Sequence, residues 1–365
     1  MTRDLGELAR ELVAIPSVNP DLGGNGEEDV ARFVASWLER AGLEVTVEQA
    51  APGRPNVVGV ARGTGGGRTL LLNAHMDTVG VDAMERPDEA RVEGGRLYGR
   101  GSYDMKGSLA AIMVAGARAR ELGLRGDVLV TAVADEEVAS VGTTALVEHW
   151  SADAAIVAEP TEFRVCVAHK GFVAFEVEVR GRAAHGSRPD LGIDAIACMG
   201  PVLVRIERLD RTLRANATHP LLGSGSIHAS VIEGGQEYSS YPERCLLQGE
   251  RRTIPGETRE HVGKELEGLL EGVDDATLAL PFSREPFEVA EAEPVVEAVR
   301  RASGEGDVIG VGFWADSSLL AKAGIPTVVF GPRGEGAHAA VEWVDLDSLE
   351  RCLDVYLAVA QDVCG

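Results

Sequence analysis

The chain has 365 residues, 45% of them apolar, which is enough for two domains or one large one with a substantial core and sets intrinsic disorder aside. Its 58 acidic against 35 basic side chains leave a net charge of −23, with no basic block of the kind that neutralises a phosphate backbone, so neither nucleic acid nor an anionic membrane is an expected partner. The five cysteines, Cys166, Cys198, Cys245, Cys352 and Cys364, are scattered and odd in number, without a C-x-x-C pair; this argues against a disulfide framework and a thiolate metal knot, and for a reducing compartment.

The opening Met1-Thr2-Arg3-Asp4-Leu5 has charges where a secretory leader needs an apolar core, and no run of about 18 apolar residues follows. A cytoplasmic protein is the expectation. Residues 4 to 14 and 27 to 41 carry apolar positions at helical spacing, the second with Val30, Phe33, Val34, Trp37 and Leu38 on one face and Gly42 placed as a left-handed cap. Strands are predicted over 44–48, 56–61 and 69–73, the last two joined by the glycine run 63–67, which reads as a hairpin turn and not as a phosphate cradle because a strand follows it. A helix is predicted over about 106–121, with Leu109, Ile112 and Met113 on one stripe and Gly116 continuing it where a neighbour could pack closely. The Val-rich strand 127–133 comes next. Strands alternating with helices predict an α/β sheet covered on both faces.

The pattern changes near residue 170. Val173, Phe175, Val177 and Val179 alternate along a strand, a helix is predicted over about 192–209, strands over 226–232 and 244–251, a helix over 258–271 and an apolar run over 276–281. Strand-helix-strand-strand-helix-strand is the order of the ferredoxin-like unit. After about residue 285 the α/β pattern returns, with a helix at 295–301, a buried strand at 327–330 and a closing amphipathic helix at 346–359. The expectation is one α/β domain, 1–170 plus 285–365, interrupted by an inserted α+β domain, 171–284.

Chemistry-bearing residues follow strands. His75 and Asp77 stand two apart at a strand end, so that Asp77 can accept the second ring N–H of His75 while the other nitrogen binds a metal. Asp104 sits among Gly99, Gly101 and Gly107, where a carboxylate could equally cap the following helix. Glu136 and Glu137 point apart, so one can ligate while the other faces a water. Each feature alone is commonly structural. Recurrence gives them weight, because Glu159 ends a buried strand and His338 follows another in a glycine-rich loop, and ligands gather beyond the carboxyl ends of strands in open α/β sheets. Five nitrogen and oxygen ligands and one free Glu suffice for two cations sharing a carboxylate. His149, His169, His219, His228 and His261 fall outside this constellation, and neither a G-x-S-x-G elbow nor an H-E-x-x-H helix is present.

The motifs A-H-M-D-T-V, G-R-G-S-Y-D-M-K-G, D-E-E, A-E-P-T and G-A-H-x-x-x-E-W, in this order over nearly the whole chain, resemble those of the di-zinc deacylase/exopeptidase family that includes acetylornithine deacetylase, succinyl-diaminopimelate desuccinylase, aminoacylase and glutamate carboxypeptidase. The resemblance implies a three-layer di-zinc exopeptidase-like catalytic domain with a ferredoxin-like dimerisation or lid insert. It implies that Asp104 bridges two zinc ions (cobalt or manganese being possible replacements), with Glu137 and His338 completing one site and His75 and Glu159 the other. Glu136 would be the general base and Asp77 the orienter of His75. His185, in the loop Gly181–Pro189, would serve the active site of the neighbouring subunit in a homodimer, and Arg252 would grip a substrate carboxylate. The implied activity is hydrolysis of an N-acyl amino acid, such as N-acetylornithine or N-succinyl-diaminopimelate, by a hydroxide bridging the zinc ions. Glu at position 159 resembles deacylases and carboxypeptidases more than aminopeptidases. An exopeptidase, either a carboxypeptidase or a dipeptidase, has the same machinery; a non-catalytic ligand-binding homologue is disfavoured because the base and all five ligands remain. Ser239 and Ala315 depart from the family pattern close to where substrate would lie, so no single substrate carries over.

Overall fold

The computed structural model describes residues 5–81 and 84–365. Residues 1–4, including the predicted start of the first helix and the charged opening segment, lie outside the described residues. Two compact units are formed, one of residues up to 167 with 289–309 and 315–365, the other of 168–288 with 310–314. The sequence had assigned 310–314 to the α/β domain. In the structure the Trp314 ring stands 6.1 Å from that of His169 and its indole N–H donates to the Glu285 carbonyl, so an aromatic anchor holds this segment to the second unit.

In the first unit the strands Val128–Val133, Leu70–His75, Ala154–Val157 and Thr327–Val329 run parallel side by side in that order. They are buried throughout, which is why they read as continuous apolar runs. Arg54–Ala61 and Glu44–Ala51 extend the sheet antiparallel beyond Val128–Val133. The glycine run is therefore not a hairpin turn: Val128–Val133 lies between the two strands it joins. It packs instead on the segment before Val128, where a Cβ on Gly67 would lie 2.2 Å from the Gly126 nitrogen and one on Gly63 2.3 Å from the Gly126 oxygen. Gly63 and Gly67 are kept bare by this close approach of two segments of the chain, while Gly65 and Gly66 take φ +103° and +79°.

Helix Glu28–Arg40 buries Val30, Val34, Trp37 and Leu38, with Phe33 half-buried, and Gly42 takes φ +86° just past its end. Helix Gly107–Ala119 is almost wholly buried, packing on the sheet and on helices Leu5–Val13 and Leu346–Cys364. Val141–His149 and Ser317–Lys322 are helices that periodicity did not announce.

The second unit has a four-stranded antiparallel sheet in the order Ser226–Gly234, Arg244–Thr253, Gly171–Arg180, Ala276–Arg284. With helices Ala195–Ala215 and Arg259–Leu269 this is the ferredoxin-like arrangement. Val173, Phe175, Val177 and Val179 all face its core. Helix Ala195–Ala215 continues past the predicted end at residue 209 although the apolar stripe fades, and ion pairs one turn apart, Glu207–Arg211 at 3.0 Å and Asp210–Arg214 at 2.6 Å, run along that extension. Among the described residues no helix is long and apolar enough to cross a membrane.

Candidate metal centre

The parallel strands of the first unit deliver their side chains at one end. His75 closes Leu70–His75, Glu136 and Glu137 follow Val128–Val133, Glu159 follows Ala154–Val157, and His338 lies in the connection after Thr327–Val329. Asp104 comes from the tight turn ahead of helix Gly107–Ala119, where the Asp104–Met105 peptide is cis.

Two groups of three share Asp104: His75, Asp104 and Glu159 in one, Asp104, Glu137 and His338 in the other, with ligand atoms within 4.8 Å of one another in each. His75 Nε2 lies 3.1 Å from Asp104 Oδ1 and 3.6 Å from Glu159 Oε1. His338 Nε2 lies 3.4 Å from Asp104 Oδ2 and 3.1 Å from Glu137 Oε2. Each oxygen of one carboxylate thus addresses a different imidazole. The five residues named from the sequence as ligands are brought together, and Glu136 and Asp77 belong to the same unit.

Asp77 is wired differently from the sequence expectation. His75 Nδ1 is 2.9 Å from the Asp77 backbone oxygen but 3.6 Å from its carboxylate, beyond hydrogen-bond reach. The main chain orients the ring, because the strand curls back after His75. The carboxylate instead accepts the N–H groups of Glu136 at 3.0 Å and Glu137 at 3.2 Å, fixing the backbone from which both acidic side chains spring.

Behind Asp77 lies a buried network that the sequence reading missed. Asn19 Nδ2 donates to Asp77 Oδ2 at 2.8 Å and to Asp135 Oδ1 at 2.9 Å. Arg54 Nη2 donates to Asp135 Oδ1 at 2.6 Å and to Glu27 Oε1 at 2.8 Å. The available signal was Arg54, with Asn56, at the start of a strand that is apolar from Val57 on, where a buried cation requires partners.

Electrostatics favour a cation at the shared carboxylate. Burial, reinforced by neighbouring negative charge, raises the carboxyls of Glu136, Glu137 and Glu159 above the ordinary carboxylate range. Burial opposes ionisation of Asp104, yet hydrogen bonds from His338 and His75 hold it below that range. Bonds to Asp104 and Glu137 push His338 up to about 10. Without metal, then, protonated imidazoles supply the positive charge that the carboxylates demand, and a ligating imidazole must be neutral, so a divalent cation substitutes for those protons. Glu137 Oε1 is buried with no hydrogen-bond partner among the described residues, an oxygen that a cation would satisfy. Imidazole nitrogens and carboxylate oxygens without thiolates suit zinc, and also cobalt or manganese. The donor set fits a pair of divalent ions.

His185 and Arg252 stand in the second unit. His185 is exposed, and its Nδ1 accepts the Ser187 N–H at 3.2 Å, which leaves the proton of the neutral ring on Nε2. Arg252 donates through Nε to Glu250 at 2.6 Å and lies over the Phe172 ring. Lys170, also unremarked in the sequence, is pushed below its ordinary value by burial and then by Arg252 and Arg214, so positive charge is concentrated there.

The family model for peptidase family M20/M25/M40 matches residues 71–362. An acetylornithine deacetylase of Myxococcus xanthus is 33% identical over 351 residues, covering 91% of each chain. An N-formyl-4-amino-5-aminomethyl-2-methylpyrimidine deformylase of Halalkalibacterium halodurans is 28% identical, covering 99% of this chain and 94% of the relative. Among solved structures, the M20 family metallo-carboxypeptidase Sso-CP2 of Sulfolobus solfataricus superposes with a TM-score of 0.82 at 18% identity, covering 99% of both chains; at that identity the likeness speaks for the fold.

Proposed function

The chain belongs to peptidase family M20/M25/M40, hydrolases of amide or peptide bonds, and from that premise we propose that it is a deacylase that releases the amine of an N-acyl amino acid. The observation that carries this reading is the sharing of Asp104 between two groups of potential ligands. In the proposal two divalent cations, zinc being the first choice, would be held by these residues, one by His75, Asp104 and Glu159 and the other by Asp104, Glu137 and His338. Bound there, the cations would polarise the acyl carbonyl and bring the pKa of water down to about 7.

The remaining chemistry belongs to the side chains. Glu136 takes a proton from the attacking water and returns it to the leaving amine; burial, then the charge of Glu159, raise its carboxyl above the ordinary carboxylate range. Asp77 holds the Glu136 backbone in place. The Nε2–H of His185 donates to the carbonyl oxygen as negative charge develops on it. Arg252, with Lys170 nearby, binds the free carboxylate of the amino acid.

His185 acts across a homodimer built by the second unit. Two features support this assembly: the edge strand Ser226–Gly234, with Val231 and Ile232 exposed, and helix Ala195–Ala215, with Ile196 and Val204 exposed. A location in the cytoplasm accords with the five free cysteines.

A hydrolysis screen tests the reading, using N-acetyl and N-succinyl amino acids and dipeptides, with and without a chelator, alongside metal analysis. Expected are turnover of an N-acyl amino acid, its loss to the chelator, recovery with added divalent ion and about two ions per chain. Turnover of dipeptides alone replaces deacylase by exopeptidase, and full activity without metal overturns the reading.

A further inference from the structure

We propose that Arg100 and Glu342 form a clasp holding the loop of Asp104 against the loop of His338, and that both are positioning residues of the metal centre. The inference rests on the di-metal reading above. The carboxylate of Glu342 is buried, and among the described residues its bonds converge on the Asp104 turn: Oε1 accepts the N–H of Tyr103 at 2.9 Å and of Asp104 itself at 3.0 Å, while Oε2 accepts the N–H of Gly101 at 3.1 Å and Arg100 Nη1 at 2.6 Å. The guanidinium of Arg100 then reaches back, donating through Nη2 to the Ala339 carbonyl at 3.1 Å, one residue past His338, and through Nε to the Gly80 carbonyl at 3.2 Å.

Strand pairing explains how residues so distant in sequence meet. Trp343–Asp345 pairs antiparallel with Arg96–Tyr98, and the register runs on through the Gly99 N–H to the Glu342 carbonyl, which sets Glu342 beside the start of the Asp104 turn. On its other side Trp343–Asp345 pairs with Gly334–Glu335, so His338 lies in the connection of a hairpin whose return strand begins beside Glu342. The hairpin needs Gly336, at φ +89°, where a Cβ would lie 1.8 Å from the Val341 oxygen. Asp104 and His338 are two of the three residues around one proposed cation; Asp104 sits at a non-helical break (φ −118°, ψ 92°) inside the short π-helical turn Ser102–Lys106, and His338 in a turn. The clasp supplies the rigidity that regular structure does not.

A carboxylate is required because all four donors point at it. In Glu342→Gln an amide N–H₂ must confront either the Tyr103 and Asp104 N–H groups or Gly101 and Arg100. Outer residues that orient ligands typically set metal affinity by about 10–100-fold.

The test measures zinc affinity by chelator competition, and the thermal midpoint with and without zinc, for the full-length wild type, Glu342→Gln and Arg100→Lys. The second variant keeps a cation beside Glu342 but gives up the bond to Ala339. Expected are a loss of zinc affinity of about 10–100-fold in Glu342→Gln and a smaller one in Arg100→Lys, with a midpoint deficit that is larger with zinc than without it and levels off once both chains are saturated. A purely structural contact would lower the midpoint equally with and without zinc; that result, or unchanged zinc affinity in both variants, overturns the clasp. Should Glu342→Gln not fold, Arg100→Lys decides alone. Wild type that takes up no zinc defeats the metal-centre reading itself, whereas zinc-binding wild type with unaltered variants defeats only the clasp.

Discussion

Glu27 is wholly buried beside a guanidinium it must share, since Arg54 Nη2 serves both Glu27 and Asp135. Burial, then the charge of Asp77, push its carboxyl up from 4.5 to about 7. A carboxyl that binds its proton more tightly in the folded chain stabilises the fold fully below pH 4.5, and that contribution is lost as pH rises through 7; the shift corresponds to about 3 kcal/mol. Glu27→Gln keeps an acceptor for Arg54 and for the Asp135 N–H, and should remove this slope, gaining stability over wild type as pH rises from 4.5 to 7. Urea unfolding across a pH series checks it, and a variant that parallels wild type throughout contradicts it. The contrast with the metal centre shows what a sequence can reveal about single residues. His75, Glu137 and Glu159 were legible because each follows a strand, so local pattern and chemistry coincide. Glu27, Arg54, Asn19 and Asp135 meet only through the fold. Which oxygen of Asp77 meets His75 depends on how the chain curls after the strand, a matter of degrees that residue spacing does not encode.

The helix Gly107–Ala119 meets the sheet at a position without a side chain. By intrinsic propensity alone, Gly116→Ala should gain about 1 kcal/mol. The added Cβ, however, would lie 2.3 Å from Val130 Cγ2 on the strand Val128–Val133, and overpacking of this kind typically costs about 1–3 kcal/mol. The variant should therefore be less stable despite its better helix former, and Val130→Ala in the same chain should recover part of the loss relative to Val130→Ala alone. Denaturant unfolding of the double-mutant cycle measures this, and a stabilised single variant would refute the close approach. The sequence pointed to Gly116 because the stripe through Leu109, Ile112 and Met113 continued across it. Long elements with one apolar face were readable in this way. Val141–His149 was not, because its buried residues Gly142, Thr143 and Leu146 make no continuous apolar stripe, and Ser317–Lys322 is too short for any period to register. The glycine run misled for a different reason: a hairpin and a crossover both need flexible backbone, and only pairing with Val128–Val133 tells them apart.

The proposed base, Glu136, lies in one unit and the proposed oxyanion donor, His185, in the other, which raises the question of which chain would complete which site. The loop that carries His185 is exposed, and Ser187 fixes the ring so that its outer nitrogen bears the proton, an arrangement suited to donating a hydrogen bond to a group outside that loop. In the proposed homodimer that group belongs to substrate in the partner subunit. Glu136→Ala lacks the base and His185→Ala lacks the donor, so each variant alone should be nearly inactive. When the two are mixed and allowed to exchange subunits, a heterodimer holds one site with both lesions and one with neither, because the intact Glu136 of one chain faces the intact His185 of the other. Random pairing makes half of the dimers hybrid, so the mixture should recover about a quarter of wild-type activity. If each chain instead completed its own site, every site in the mixture would keep one lesion and mixing would restore nothing. Size-exclusion chromatography of the mixture supplies the control: recovery must track the dimer, and a monomer that turns over substrate at full rate would remove the partner from the mechanism.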